Sequence, residues 1–400
     1  MTVPDRRRER PTILVLGGTG EVGASVVAES IELGLRVAAA SRRPPQPLLE
    51  QSLFGPHRVR WERIAEPNGA TSAALKELMA EHDIVILACE PWRVEPGDER
   101  SSIDEARARL ETAAAASEAR LSAGLPPLRV VRIGSPAAEL PFALMGSRGD
   151  GFEEDAIRLQ EVAELAKRDL CWRVPYFVAK VGMALAAREA VRTGLDLVTA
   201  APTGTVSWWG DKGAEDLWVR AHHECVGAVP LISFPTNVLP GDVAARGILL
   251  VALAGVTGHV YQVPGVVWHS WDLQIEMLRH TRRTLPPAFH LTRELILEGV
   301  RVHLEERGPV DRLKRRWLRE LVGARDYAMA ALLQNNRARS AAKLLSLVPK
   351  LAADGPPLEY PSPAEIAAAL PAAARRRAQW LTKRGLLRRG GGRAGSPRTA

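Results

Sequence analysis

The stretch TILVLGGTGEVG, residues 12–23, decides the fold of this 400-residue chain. Thr12 to Leu16 has the apolar, β-branched pattern of a buried strand, and glycines with the spacing GxxGxxG follow it at once. A helical pattern then covers Val22 to Leu33, and a second strand pattern covers Arg36 to Ala40. Glycine allows a tight turn that brings the backbone close to a pyrophosphate, which binds the free N–H groups at the start of a helix. Residues 12–43 are therefore predicted to bind a dinucleotide.

The glycine turn supplies the predicted pyrophosphate contacts, namely Gly17, Gly18, Thr19, Gly20, Glu21, Val22 and Gly23. The end of the second strand distinguishes two dinucleotides, because an acid there binds the ribose 2′-OH of NAD and an arginine accommodates the 2′-phosphate of NADP. Here the sequence is Ser41-Arg42-Arg43, without an acid. We therefore predict NADP in preference to NAD, with Ser41 adding a hydrogen bond. The alternative is that both arginines are solvated loop charges.

Strand-like and helical runs alternate along the first half of the chain, which predicts a parallel sheet covered by helices on both faces. From Leu273 onward the pattern changes to amphipathic helices broken at prolines. The predicted class is α/β, a Rossmann-type doubly wound parallel sheet with a smaller, mostly helical C-terminal substrate region. We assign residues 1–10 to a charged tail, 11–206 and 236–265 to the NADP-binding Rossmann domain, 207–235 and 266–370 to the substrate region, and 371–400 to a basic disordered tail.

The formal net charge of +8 is concentrated at one end of the chain. Residues 371–400 hold nine Lys or Arg and no acid, so the rest of the chain is nearly neutral. This distribution argues against a specific nucleic-acid partner and predicts a solvated tail. The segment Val310 to Val322 has the pattern of a basic amphipathic helix, whose apolar stripe we expect to pack on the core. The alternative is a weak contact with an anionic membrane surface.

The cellular compartment follows from the start of the chain and from the cysteines. The first ten residues are charged and are not followed by a signal-peptide apolar segment, so we expect a cytoplasmic protein. The three cysteines include no CxxC pair, which argues against a disulfide framework and against a thiolate metal site. No metal is expected.

Tyr176 and Lys180 form a YxxxK pair at the start of a predicted helix, Pro175 to Thr193. Residues four apart emerge on one face of a helix, so the ammonium would lie near the phenol. A free tyrosine has a pKa of about 10, and a nearby positive charge favours the phenolate. Tyr176 is therefore a candidate proton donor or acceptor. The alternative is an exposed Tyr and Lys one turn apart.

These residues and their order resemble the extended short-chain dehydrogenase/reductases, a family that includes dihydroflavonol reductases, hydroxysteroid dehydrogenases and nucleotide-sugar epimerases. The glycine turn comes first, then the strand ending at Ala88, the strand ending at Ser135, the Tyr176 and Lys180 pair, and the turn that begins at Pro202. The resemblance covers roughly residues 12–265. A homodimer formed through helices is common in that family, but the sequence leaves the oligomeric state of this chain open.

The resemblance implies roles for these residues. Lys180 would bind the cofactor ribose, and Tyr176 would exchange a proton with the substrate oxygen while hydride moves to or from the nicotinamide. Ser135 would hydrogen-bond that oxygen, and Ser147 in the same loop is the alternative. Ala88 and Pro202 would lie against the cofactor.

The substrate is predicted to be a medium-sized hydrophobic molecule. Trp172, Trp208 and Trp209 cluster around the presumed site, and indole rings offer wide apolar surfaces. Packing between domains is the alternative. The leading hypothesis is an NADP-dependent oxidoreductase acting on a carbonyl or alcohol, a ketoreductase. The alternatives are a nucleotide-sugar epimerase with the same Tyr and Lys, and a non-catalytic NADP-binding sensor.

Overall fold

The structure is a computed structural model, which describes much of the chain in several segments. These are residues 10–54, 59–64, 69–90, 94, 97–135, 175–207, 209, 229–232, 235–269, 276, 279, 288–291, 308–312, 341–351 and 356–384.

A seven-stranded parallel sheet forms the centre of the fold, as the alternating sequence pattern predicts. Its strands are β1 (Thr12–Leu16), β2 (Arg36–Ser41), β3 (Arg60–Arg63), β4 (Ile84–Leu87), β5 (Arg129–Ile133), β6 (Asp196–Pro202) and β10 (Val260–Val263). The order across the sheet is β10-β6-β5-β4-β1-β2-β3, and every neighbouring pair is parallel. The order reverses between β1 and β4, and ligands of open α/β sheets bind at such a point, beyond the carboxyl ends of the strands.

Helices cover this sheet, and the two helices predicted over 22–33 and 175–193 begin and end within one residue of their predicted bounds. They are α1 (Glu21–Glu32), α2 (Pro47–Leu53), α3 (Gly69–Ala80), α4 (Glu99–Ser122), α5 (Pro175–Arg192), α6 (Gly241–Ala254), α7 (Ala342–Leu345) and α8 (Pro363–Lys383). One apolar cluster includes side chains of α1 and α6, and a second includes side chains of α4 and α5. Strand β4 is apolar along its whole length, the buried run IVIL, because both faces of the sheet are covered at this point. The predicted doubly wound α/β class is confirmed.

Two smaller sheets lie outside the central one. Strand β9 (Pro235–Pro240) pairs in parallel with β7 (Gly204–Val206) and antiparallel with β11 (Val266–His269). Strand β8 (Val229–Ile232) pairs in parallel with β12 (Ala288–Leu291). The segment predicted as the substrate region therefore contributes strands as well as helices.

The prediction that residues 371–400 are disordered is wrong for residues 371–384. Helix α8 begins with a capping box, in which the Ser362 hydroxyl accepts a hydrogen bond from the Glu365 backbone N–H. Its buried face includes Leu370, Trp380 and Leu381, which join the apolar cluster of α1 and α6. The dense positive charge suggested a solvated tail, but a regular apolar stripe runs through it at helical spacing.

Other expectations fall partly or wholly outside the described residues. They concern the basic tail over 385–400, the residues before Arg10, and all of helix 310–322 beyond Arg312. Within the part of the chain that the structure describes, no helix is long and apolar enough to cross a membrane.

Candidate active site

The glycine turn adopts the geometry that its sequence predicts. Gly17 has φ +85°, a backbone conformation that favours glycine, and its N–H donates a hydrogen bond of 2.7 Å to the carbonyl of Ala40. A Cβ at Gly17 would lie 2.6 Å from the carbonyl oxygen of Ala88. The turn between β1 and α1 is thus pressed against the end of β4, where only a residue without a side chain fits.

The same close packing explains the other glycines of the turn. A Cβ at Gly18 would lie 2.6 Å from the Cβ of Ala39, and a Cβ at Gly23 would collide with the carbonyl oxygen of Gly17. Gly20, the residue before α1, makes no side-chain cap. The start of α1 therefore has the close backbone approach and the uncapped end that a pyrophosphate requires, and these residues fit a dinucleotide.

Glu21, in the first turn of α1, is held by the segment that follows β7. Its carboxylate accepts a hydrogen bond of 3.2 Å from the backbone N–H of Ser207. The Ser207 hydroxyl is 2.7 Å from that of Ser25, and both residues are buried. These contacts join the start of α1 to the segment after β7. The predicted contact of Glu21 with the cofactor stays a prediction.

At the end of β2, the side chains of Arg42 and Arg43 can reach a ligand more readily than that of Ser41. Arg42 and Arg43 are exposed. Ser41 is buried, donates its hydroxyl hydrogen to the carbonyl of Arg43 at 2.6 Å, and accepts a hydrogen bond of 2.9 Å from the Trp61 indole. Because the single hydroxyl hydrogen is already used, Ser41 would have to break this contact to donate to a phosphate.

The structure brings together the three predicted catalytic residues. Ser135 lies directly beyond β5, and Tyr176 and Lys180 lie in the first turns of α5. The Ser135 Oγ is 3.2 Å from the Tyr176 OH, and the Lys180 Nζ is 5.6 Å from the centre of the Tyr176 ring. Tyr176 and Lys180 thus share one face of the helix, as their spacing predicts. Ser147 lies outside the described residues.

Glu90 is a part of this site that the sequence analysis missed. It follows β4, and its carboxylate accepts hydrogen bonds from Arg132 Nε at 2.5 Å, Arg132 Nη2 at 3.1 Å and Lys180 Nζ at 2.8 Å. Burial raises the pKa of Glu90, but the adjacent Arg132 and Lys180 charges outweigh burial and hold it below its usual value. One signal in the sequence could have indicated Glu90, because it is an isolated carboxylate just after an apolar strand of a parallel sheet.

Of the remaining predicted residues, Ala88 and Pro202 lie at the carboxyl ends of β4 and β6. Ala88 packs beside the glycine turn, as described above, and Pro202 is buried as the last residue of β6. Trp172 and Trp208 lie outside the described residues. Trp209 packs edge-on against Trp380 with ring centres 5.3 Å apart, and its carbonyl accepts a hydrogen bond of 2.8 Å from the buried Arg377. These are packing contacts, and a substrate role for Trp209 stays a prediction.

The sequence matches no family model and no curated protein. Solved structures nevertheless share the fold over nearly the whole chain. One is a nucleoside-diphosphate-sugar epimerase from Pseudomonas aeruginosa, with 17% identity, a TM-score of 0.58, and coverage of 95% of this chain and 100% of that chain. The chain has the fold of that protein. The fold that the resemblance implies is thus confirmed.

Two further solved structures have a similar fold. A dTDP-glucose 4,6-dehydratase from Bacillus anthracis in complex with NAD has 14% identity, a TM-score of 0.55, and coverage of 93% of this chain and 97% of that chain. The terminal R domain of the myxalamid PKS-NRPS biosynthetic pathway has 15% identity, a TM-score of 0.53, and coverage of 96% and 94%. At such identities the likeness concerns the fold, and function has to be argued from the site.

Proposed function

We propose that this chain is an NADP-dependent oxidoreductase that transfers hydride between the nicotinamide and a carbonyl or alcohol carbon of a medium-sized hydrophobic substrate. The observation that carries the proposal is the contact of 3.2 Å between Ser135 Oγ and Tyr176 OH, with Lys180 beside the tyrosine ring. This group lies at the carboxyl edge of the sheet, the edge that also holds the glycine turn. A proton donor and a dinucleotide would therefore meet there.

The residues of the site have complementary roles in the reduction of a carbonyl. A reduced dinucleotide held by the glycine turn would supply the hydride for the carbonyl carbon. Tyr176 gives its phenolic proton to the carbonyl oxygen, and Ser135 donates a hydrogen bond to that oxygen as negative charge develops on it. The Lys180 ammonium stabilises the phenolate that remains. In alcohol oxidation the same groups act in reverse.

The experiment is a comparison of Tyr176→Phe with Tyr261→Phe. Both changes delete one phenolic hydroxyl, but Tyr261 is a buried strand residue whose OH accepts a hydrogen bond from the Val256 backbone. With NADPH and a panel of steroid-like and flavonoid-like ketones, Tyr176→Phe should lower kcat by about a hundredfold or more while the dinucleotide still binds. Tyr261→Phe should keep its turnover. An undiminished rate in Tyr176→Phe would exclude the assignment.

A second candidate is a nucleotide-sugar epimerase, which uses the same tyrosine, lysine and hydride chemistry. The observation that favours it is the fold likeness to the Pseudomonas aeruginosa epimerase over 95% of this chain. A thermal-shift screen, which measures how much each ligand raises the melting temperature, distinguishes the two candidate functions. Ketones of the panel should raise the melting temperature of the NADP-loaded protein, whereas stabilisation by UDP-sugars alone would favour the epimerase.

A further inference from the structure

Strand β4 carries a carboxylate just beyond its end, at the edge of the sheet where the proposed chemistry takes place. Glu90 is two residues from Ala88, whose carbonyl is pressed against the glycine turn. Its side chain is only 8% exposed, and those of Arg132 and Lys180 are 4% and 6% exposed. Three charged groups are thus buried together next to Tyr176. Such burial is costly unless the charges are paired in good geometry.

The contacts fix the orientation of the Glu90 carboxylate. Arg132 donates through Nε to one oxygen at 2.5 Å and through Nη2 to the other at 3.1 Å. This two-point contact prevents rotation of the carboxylate, since both nitrogens belong to one planar guanidinium. The oxygen Oε2 then meets the Lys180 Nζ at 2.8 Å. Arg132, on β5, therefore determines where Glu90 holds the ammonium of α5.

Glu90 is not suited to carry a proton in the reaction. Its pKa lies below its usual value, because the Arg132 and Lys180 charges outweigh the effect of burial. A carboxylate that stays ionised near neutral pH neither donates nor stores a proton, so its effect is electrostatic and geometric.

Lys180 retains capacity for further hydrogen bonds. An ammonium has three hydrogens, and among the described residues Nζ makes one hydrogen bond, the one to Glu90. The other two are available to a bound ribose and to the tyrosine oxygen. With Nζ tethered at one point, the ammonium loses less freedom on binding a ligand than a mobile lysine would.

We propose that Glu90, clamped by Arg132, is the positioning residue of Lys180, holding its ammonium in place for the dinucleotide ribose and for Tyr176. This inference rests on the proposed function, because it acts through the lysine of the proposed site. It adds to that site two residues that touch neither the substrate nor the reacting atoms, one just after β4 and one in β5. Their effect is transmitted through Lys180.

The experiment compares Glu90→Gln with Asp83→Asn. Asp83 precedes β4 as Glu90 follows it, and it pairs with a similarly buried arginine, Arg120, at 2.7 Å on the opposite edge of the sheet. Both variants should lower the melting temperature. Only Glu90→Gln should weaken NADPH binding, by about tenfold in calorimetry, and lower kcat by tens of fold while the KM for the ketone changes little.

A double-mutant cycle with Lys180→Met gives the decisive readout. If Glu90 acts through Lys180, Glu90→Gln causes no further loss of NADPH affinity in the Lys180→Met protein, whereas additive losses would overturn the proposal. Should Glu90→Gln not fold, Arg132→Lys replaces it, since a lysine keeps the charge but cannot make the two-point contact, and a smaller loss in the same direction is expected.

The outcomes also separate this proposal from the proposed function. A wild-type protein that binds NADPH and reduces ketones, with Glu90→Gln behaving like Asp83→Asn, overturns only the role of Glu90. A wild-type protein that binds NADPH without turnover overturns the proposed function, and the affinity cycle still decides the role of Glu90. A wild-type protein that binds no dinucleotide overturns both.

Discussion

Arg42 and Arg43 are the exposed side chains at the end of β2, beside the buried Ser41. The Ser41 hydroxyl is used within the protein, where it ties the Arg43 carbonyl to the Trp61 indole. Any discrimination between the dinucleotides at this position therefore depends on the guanidinium groups. A guanidinium binds a phosphate through two parallel hydrogen bonds, whereas a ribose hydroxyl offers it much less.

The variant Arg42→Ala tests this discrimination. A charge-assisted hydrogen bond contributes about 1.5–3 kcal/mol, so the affinity for NADPH should fall by roughly tenfold to a hundredfold while the affinity for NADH stays the same. The control is Arg36→Ala, which removes an exposed arginine at the amino end of the same strand. Calorimetric titrations with both dinucleotides measure the effect. Equal losses for NADPH and NADH, or no loss, would contradict the assignment of Arg42.

Helix α8 illustrates how one element near the end of the chain supports the rest. Its buried face joins the apolar cluster that includes α1 and the strands of the central sheet. The buried guanidinium of Arg377 donates a hydrogen bond to the Trp209 carbonyl, and Tyr360, just before the helix, donates one of 2.5 Å to the Pro264 carbonyl. The helix thus ties together segments that are more than ninety residues apart in the chain.

The stability prediction at this scale concerns Leu370, which is completely buried in α8. Leu370→Ala should lower the free energy of unfolding by about 2–5 kcal/mol, because it removes buried methyl groups and leaves a cavity. Lys383→Ala, an exposed change in the last turn of the same helix, should alter it by less than about 0.5 kcal/mol. Urea unfolding followed by circular dichroism checks both. If both changes have a similarly small effect on the free energy of unfolding, α8 does not pack on the apolar cluster.

At the scale of the whole molecule, buried arginines are paired at both edges of the central sheet. On the amino edge, Asp83 accepts hydrogen bonds from Arg120 and from the backbone and hydroxyl of Thr12. Burial raises the pKa of Asp83, but these hydrogen bonds and the Arg120 charge hold it below its ordinary value of 3.8. Glu90 on the carboxyl edge has a lowered pKa for a similar reason. Both carboxylates therefore stabilise the fold in their ionised form.

This arrangement predicts acid sensitivity of the whole fold. A carboxylate whose pKa is lowered by folding contributes stability above its unfolded pKa and loses it as the pH falls through the folded value. Glu29 contributes to the pH dependence of stability in the opposite direction. Burial raises its pKa and outweighs the hydrogen bond and the charge of Arg246, which lower it. The melting temperature of the wild-type protein should decrease as the pH is lowered below about 4, and its advantage over Asp83→Asn should shrink over the same range. A constant difference across that range would contradict the role of Asp83.

The local pattern of the sequence determined the central fold and much of the site. The glycine spacing fixed the turn after β1, because at Gly17, Gly18 and Gly23 a Cβ would meet backbone or a methyl group where it does not fit. The strand and helix periods fixed the alternating order, and the four-residue spacing placed Tyr176 and Lys180 on one face of α5. Each of these features depends on residues that are close together in the sequence, so the local pattern is enough to predict it.

Only the tertiary structure decided which distant charges meet. Glu90 is 42 residues from Arg132 and 90 from Lys180, and no local period records that the ends of β4 and β5 and the start of α5 converge. The same holds for Arg377, which reads as a solvated tail charge until the folded chain brings its guanidinium to a carbonyl 168 residues away. Charge can be counted from composition, but whether a charge is solvated or buried and paired depends on contacts that form only when the chain folds.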